Sequence, residues 1–182
     1  MDILICAACA RPLTDAVRLM DAVPDLPPWD GSPGPDGLRR SPATMPRGRY
    51  AVQPDHRGAP FVPCPEEDED AYDGIHPGGP WASDERGWLV SAGPRNQYVL
   101  HPDDVLPLDL QPEPLRSSGC CGAAGADGPN RVCACGAEVA TLYADCSTPY
   151  EILFAPGAVR VVPAPRPGGR IPDHPSSCRT YE

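Results

Sequence analysis

The sequence predicts a mostly β domain, small for its length, with short hairpins, many loops and little helix. Three observations point there. The 182-residue chain carries 27 Pro and 18 Gly, residues that interrupt helices and strands and leave short elements joined by turns. Its large apolar side chains are few, with aromatics at 6% and only 2 Phe. Its apolar runs are short and rich in Val, Ile, Leu and Tyr, as strands are. Burial of apolar surface contributes roughly 25 cal/mol per Å², whereas ordering each residue's backbone costs about 1–2 kcal/mol. So thin a core calls for a further staple, either disulfides or a metal.

In chain order, residues 1–12 hold a short apolar run, then Cys6-Ala7-Ala8-Cys9 and Arg11-Pro12. Leu13, Val17 and Met20 share a helical face, so the spacing predicts a short helix over 13–22, bracketed by Pro12 and Pro24. Residues 24–47 are dominated by Pro, Gly and Asp and form an irregular loop. Arg49–Gln53 and Phe61-Val62 have strand composition and flank a turn at Pro54-Asp55-His56-Arg57-Gly58. Residues 64–86 make a second irregular loop. It contains Glu66-Glu67-Asp68-Glu69-Asp70, a solvated acidic run or a docking point for a basic partner.

Gly87–Ser91 and Gln97–Leu100 bracket Gly93-Pro94-Arg95-Asn96, which is a hairpin pattern. His101-Pro102-Asp103-Asp104 opens a helical turn, with Pro and acidic residues where a helix start favours them. Strands follow over Glu138–Tyr143 and 150–154, with a third over 159–162. From residue 163 Pro, Gly and Ser take over, so 163–182 is expected to be a disordered tail. Residues 1–162 are then one domain, with 24–47 and 64–86 as loops inside it.

The staple is sought in the 9 cysteines. Residues 1–6 lack the basic region and apolar stretch of a secretory signal, and no run approaches the length of a membrane helix. The chain is therefore expected in the cytoplasm, where thiols stay reduced. An odd cysteine count also suits a closed disulfide set poorly. Seven cysteines fall in two clusters, Cys6 and Cys9, then Cys120, Cys121, Cys133, Cys135 and Cys146. Zinc takes four such thiolates in a tetrahedron at ~2.3 Å. A short Cys-to-Cys turn places two sulfurs on one ion and points backbone N–H groups at them. Gly136, directly after Cys135, suits the left-handed turn that follows such a knuckle.

Two knuckles, Cys6-Ala7-Ala8-Cys9 and Cys133-Ala134-Cys135-Gly136, each leading into a short strand, resemble a zinc ribbon. The second has one residue between its cysteines where the ribbon pattern has two. The resemblance implies a structural Zn2+ on Cys6, Cys9, Cys133 and Cys135, with Cys120, Cys121 and Cys146 as alternative ligands or most of a second site. A local arrangement, Cys120 or Cys121 with Cys133, Cys135 and Cys146, stays open beside it. The segment from Gly119-Cys120-Cys121-Gly122 to Asp145-Cys146 also resembles a cysteine-rich motif of small bacterial proteins to which no activity attaches. Cys64 and Cys178 sit in Pro-rich, polar contexts and read as thiols without a role. His56, His76 and His174 read as surface residues, and His101 as the outside candidate for a missing fourth ligand.

Charge narrows the partners. The net charge is −10, and all 15 basic residues are Arg. The lack of Lys, with the Ala, Pro, Gly and Arg bias, points to a high-GC bacterial source. Both cysteine-bearing segments are net acidic, the opposite of a surface that neutralises phosphates, so nucleic acid is not expected as a partner. Neither is a membrane. A protein partner fits, a basic one included. No Gly-x-Ser-x-Gly, phosphate loop or His-x-x-x-His is present, and Asp103-Asp104 reads as helix-end charge. The expected function is thus a cytoplasmic zinc-binding protein with a non-enzymatic, protein-binding or regulatory role. Two alternatives remain: a zinc–thiolate redox switch, and an enzyme whose site lies in 48–106 around Trp81, Trp88, Tyr98 and His101.

Overall fold

The structure, a computed structural model, describes residues 1–26, 28–35, 37–64, 82–85, 87–112 and 119–165. Among these, twelve strands form three sheets, and the helical content is a 3₁₀ turn at Pro102–Asp104. The chain is mostly β, as its sequence predicts. In chain order the strands are β1 (Asp2–Cys6), β2 (Arg18–Leu19), β3 (Arg49–Gln53), β4 (Phe61–Pro63), β5 (Ala82–Asp84), β6 (Gly87–Ser91), β7 (Gln97–Leu100), β8 (Asp109–Leu110), β9 (Arg131–Val132), β10 (Glu138–Tyr143), β11 (Glu151–Phe154) and β12 (Val159–Pro163).

The principal sheet has seven strands in the order β2-β3-β7-β11-β10-β9-β8. Only the β2–β3 pair is parallel. Its central strand, β11, is buried at all four positions, because both faces of the sheet are covered. Side chains alternate between those faces. Tyr50, Leu100, Ile152 and Phe154 join one core cluster with Leu4, Leu13, Val17 and Val159. Ala51, Val99, Tyr143 and Leu153 join a second with Met45. A two-stranded ribbon, β1 with β12, supplies Leu4, Cys6 and Val159 to the first cluster. Short edge strands at β2 and β8 limit the backbone left free to pair with another chain.

The expected helix over 13–22 does not form. Residues 12–17 instead run extended along β1, on the side away from β12, with bridges at Ile5↔Pro12 and Asp2↔Val17. Leu13 N–H donates to the Leu4 carbonyl at 2.8 Å, and Thr14 Oγ1 accepts from Leu4 N–H at 3.0 Å. Leu13 and Val17 are buried as a helical face would have buried them. The backbone of β1 needs partners on both sides, and this demand overrides a weak local preference.

The expected hairpin over 87–100 is also corrected. Both strands exist, but they belong to different sheets. β6 pairs with β4 and β5, while β7 pairs with β3 and β11. The expected loop over 64–86 contains β5, and Cys178, the acidic run at 66–70 and residues 166–182 lie outside the described residues. The strands at 138–143, 150–154 and 159–162 do form, and β10 pairs with β11 in antiparallel register.

The 3₁₀ turn forms where the sequence places it. His101 Nδ1 accepts the Asp103 N–H at 3.1 Å, and the ring stands edge-on to Tyr150 at 5.6 Å. Buried Asp104 accepts from Gly48 N–H at 2.6 Å and Arg47 Nε at 2.7 Å. Burial holds the His101 pKa below its ordinary value, against the opposing carboxylates of Asp103 and Asp104. A lowered pKa in the folded state means that the neutral ring stabilises the fold. That contribution is complete above the unfolded value of about 6.5 and is lost as pH falls through the folded value. Urea unfolding should show a loss of up to about 1 kcal/mol on this account, the worth of a cap. His101→Asn, which caps without titrating, should remove that slope.

Candidate metal centre

The site is assembled from two turns at one end of the ribbon and the sheet. The first leaves β1 at Cys6, and the second links β9 to β10. In the first, Cys6 N–H donates to Arg11 O at 2.9 Å and Ala10 N–H returns to Cys6 O at 2.9 Å. In the second, Cys133 N–H donates to Ala137 O at 2.8 Å and Gly136 N–H returns to Cys133 O at 2.7 Å. The two turns are thus the same device, the second shorter by one residue, which matches its single residue between cysteines.

Each turn ends on a left-handed residue, Ala10 at φ 60° and Gly136 at φ 85°. A side chain in this region costs about 1–2 kcal/mol, whereas Gly pays no Cβ penalty there. Ala10→Gly is therefore expected to stabilise the fold by about 0.5–1 kcal/mol after Gly's larger unfolded-state entropy is deducted. Gly136→Ala should destabilise it by a similar amount. Urea denaturation of both variants checks the pair of opposite signs.

The structure brings together Cys6, Cys9, Cys133 and Cys135, with all four Sγ atoms within 4.8 Å of one another. Cys6 Sγ lies 3.8 Å from Cys135 Sγ, and Cys9 Sγ 3.6 Å from Cys133 Sγ. Ligands at ~2.3 Å on a tetrahedron stand about 3.8 Å apart, whereas a disulfide needs ~2.05 Å. Each turn contributes one buried cysteine, Cys6 or Cys133, and one exposed, Cys9 or Cys135. The buried sulfurs sit in the first core cluster.

Backbone N–H groups act on these sulfurs as knuckles require. Burial pushes the Cys133 thiol up to about 12, with the Cys135 N–H opposing. Burial likewise raises Cys9, against the Arg11 N–H. The Ala137 N–H holds Cys135 below its ordinary value. A buried thiolate at Cys133 therefore needs a cation beside it, and the geometry leaves room for one among the four sulfurs. The arrangement can hold a metal ion.

A second group contains Cys120, Cys121 and Cys146, also within 4.8 Å of one another. Cys133 and Cys135 do not join it, so the local arrangement of the five later cysteines is not what the fold builds. Cys64 belongs to neither group, and His101 joins neither. His56 Nδ1 lies 2.6 Å from Gly93 O, while His76 and His174 fall outside the described residues. Of the residues considered for an enzyme site, Tyr98 packs edge-on against Tyr50 at 6.2 Å, and Trp81 lies outside the described residues.

Three residues matter here that sequence reasoning passes over. Ala10 closes the first turn, and nothing in an isolated Ala signals a positive φ. Asp145 anchors the second cysteine group, and its place directly before Cys146 is the only hint. Asn130 is fully buried and clamps Leu142 through both its N–H and its C=O, at 2.8 and 3.0 Å, which fixes β10 opposite the loop that leads into β9. Among the described residues no helix is long and apolar enough to cross a membrane. No protein family, curated protein or solved structure matches the chain.

Proposed function

We propose that the four-cysteine group holds one structural Zn2+ in a zinc-ribbon-like arrangement. The single observation that supports this most is the pair of cross-turn Sγ distances, 3.6 and 3.8 Å, in a group drawn from two matching knuckles. Four thiolates close the coordination sphere and leave no position for a reacting water, which is the pattern of a structural site. Zinc suits it, since thiolates favour soft and borderline cations and the tetrahedron is its usual geometry. The protein is then a bacterial cytoplasmic module with a non-enzymatic role, binding or regulating a protein partner. The net charge of −10 suits a basic one.

Native mass spectrometry with elemental analysis tests the metal. A zinc that depends on both turns should be present in the wild type, and Cys9→Ser/Cys135→Ser should bind one ion fewer. Co-purification from source cytosol tests the partner. Turnover in an activity screen, with no partner recovered, would overturn the role while leaving the metal.

A zinc–thiolate redox switch is the second reading, supported by the exposure of Cys9 and Cys135. A peroxide would take two electrons from a pair of thiolates, forming one disulfide and two hydroxides or waters as zinc leaves. Reversible, stoichiometric zinc release with a defined disulfide supports it, whereas aggregation alone rules it out.

A further inference from the structure

We propose that Cys120, Cys121 and Cys146 form a second, open metal site that takes a thiophilic divalent cation and leaves one coordination position for an exchangeable ligand. The three sulfurs lie within 4.8 Å of one another, with Cys120 and Cys121 at 3.8 Å. That is again the spacing of neighbouring ligands on one ion, about 3.8 Å.

The scaffold that gathers them is built, not incidental. Asp145 is buried, and its carboxylate ties the two cysteine-bearing loops together. Oδ2 accepts the Cys121 N–H at 2.9 Å, while Oδ1 accepts the Ser147 N–H at 3.0 Å and hydroxyl at 2.7 Å. The turn carrying Cys120 and Cys121 is flanked by glycines that nothing larger can replace. A Cβ on Gly119 would sit 2.2 Å from Gly122 O, and one on Gly122 would sit 2.4 Å from Ala144 O. The backbone of one loop therefore lies directly on the other, and the three thiols are held together before any ion arrives.

The contrast with the four-cysteine group sets the chemistry. Among the described residues no fourth Cys, His, Asp or Glu joins the three sulfurs, and Cys120 and Cys121 are exposed. Three protein ligands with a free position make an exchanging site, where four make a closed one. Binding releases three thiol protons to solvent as three metal–sulfur bonds form, and no electron moves. Cys146 also borders a cleft of about 230 Å³ whose lining sets Leu26, Trp29 and Pro149 beside Ser41, Ser147 and Thr148.

Native mass spectrometry of the reduced full chain titrated with Zn2+ should show two ions. Cys146→Ser should keep one. Cys9→Ser/Cys135→Ser should keep the other and release it to a chelator at least about tenfold faster than Cys146→Ser releases its own, as an open site exchanges against a closed one. With Co2+ as the probe, the visible spectrum of Cys9→Ser/Cys135→Ser should shift on adding imidazole, and that of Cys146→Ser should not. One ion in both the wild type and Cys146→Ser overturns the proposal, as does a Co2+ spectrum indifferent to imidazole in the first variant. Failure of the four-thiolate reading looks different: Cys9→Ser/Cys135→Ser then binds as many ions as the wild type.

Discussion

Removing the metal with a chelator should lower the protein's unfolding midpoint by on the order of 10 °C, and returning Zn2+ should restore it. With an ion bound, the four-sulfur group would tie the β1–β12 ribbon to the β9–β10 end of the principal sheet. Without the ion, Cys6 and Cys133 must be buried as neutral thiols beside two more sulfurs at 3.6 and 3.8 Å. Structural zinc contributes about 10–16 kcal/mol where it folds an isolated finger. Here the sheet keeps cores of its own, so a fraction of that, about 3–5 kcal/mol, is expected. At about 2–4 °C per kcal/mol for a chain of this size, the midpoint falls as stated. Cys6→Ser should cost more than Cys9→Ser, since it also buries a hydroxyl in the first core cluster. Scanning calorimetry with parallel metal analysis checks both. Complete loss of the ion with no change in midpoint would sink the structural role.

Replacing either partner of the Arg57–Glu151 pair should be the most damaging change away from the cysteines, at about 3–5 kcal/mol. Both side chains are 1% exposed, and Arg57 Nη2 donates to Glu151 Oε1. Burial pushes the Glu151 carboxyl above its ordinary value, and the Arg57 charge pulls it back. Arg57 also fixes the neighbouring strand, since its carbonyl accepts from Gln97 Nε2 at 2.7 Å. Arg57→Met leaves a buried carboxylate with no counter-charge, and Glu151→Leu leaves a buried guanidinium in the same position. Arg57 Nε and Tyr143 Oη lack a hydrogen-bond partner among the described residues, so polar groups at the pair are already left unsatisfied in the buried site. The double variant Arg57→Met/Glu151→Leu should recover most of the loss or exceed the wild type, because an apolar replacement removes both desolvation costs. Urea unfolding of the four proteins closes the cycle. Single variants within 1 kcal/mol of wild type would mean that the pair is solvated.

Strands were legible where composition speaks locally. Glu138–Tyr143, with its β-branched and aromatic residues, forms β10, and the stretch around Val99 forms β7. Partnership was not legible, because which strand lies beside which depends on contacts far along the chain. The turn at 93–96 looks as if it closes a hairpin, yet β7 finds β3 and β11 more favourable neighbours than β6. Leu13 and Val17 are four apart, as on a helix, but an even spacing also puts them on one face of an extended segment, and against β1 both enter the same core cluster. The cysteines were legible as groups because thiols cluster in sequence, and the structure gathers Cys6 and Cys9 with Cys133 and Cys135. Arg57 carries no such signal, since its neighbours are turn residues. Glu151 carries a faint one, an acid on the same face of a strand as Leu153.

The ribbon joins β1 to β12, and the sulfurs that meet at the four-cysteine group are 124 and 129 positions apart. On a ribosome adding about 5–20 residues per second, Cys6 and Cys9 emerge roughly 6–25 s before Cys133 and Cys135. During that interval the nascent chain offers an unpaired two-sulfur hook to whatever ion or oxidant is nearby. Enclosure of an ion by all four sulfurs would thus wait until Cys135 has been made, and any chain halted before residue 133 exposes its early thiols without the means to enclose one.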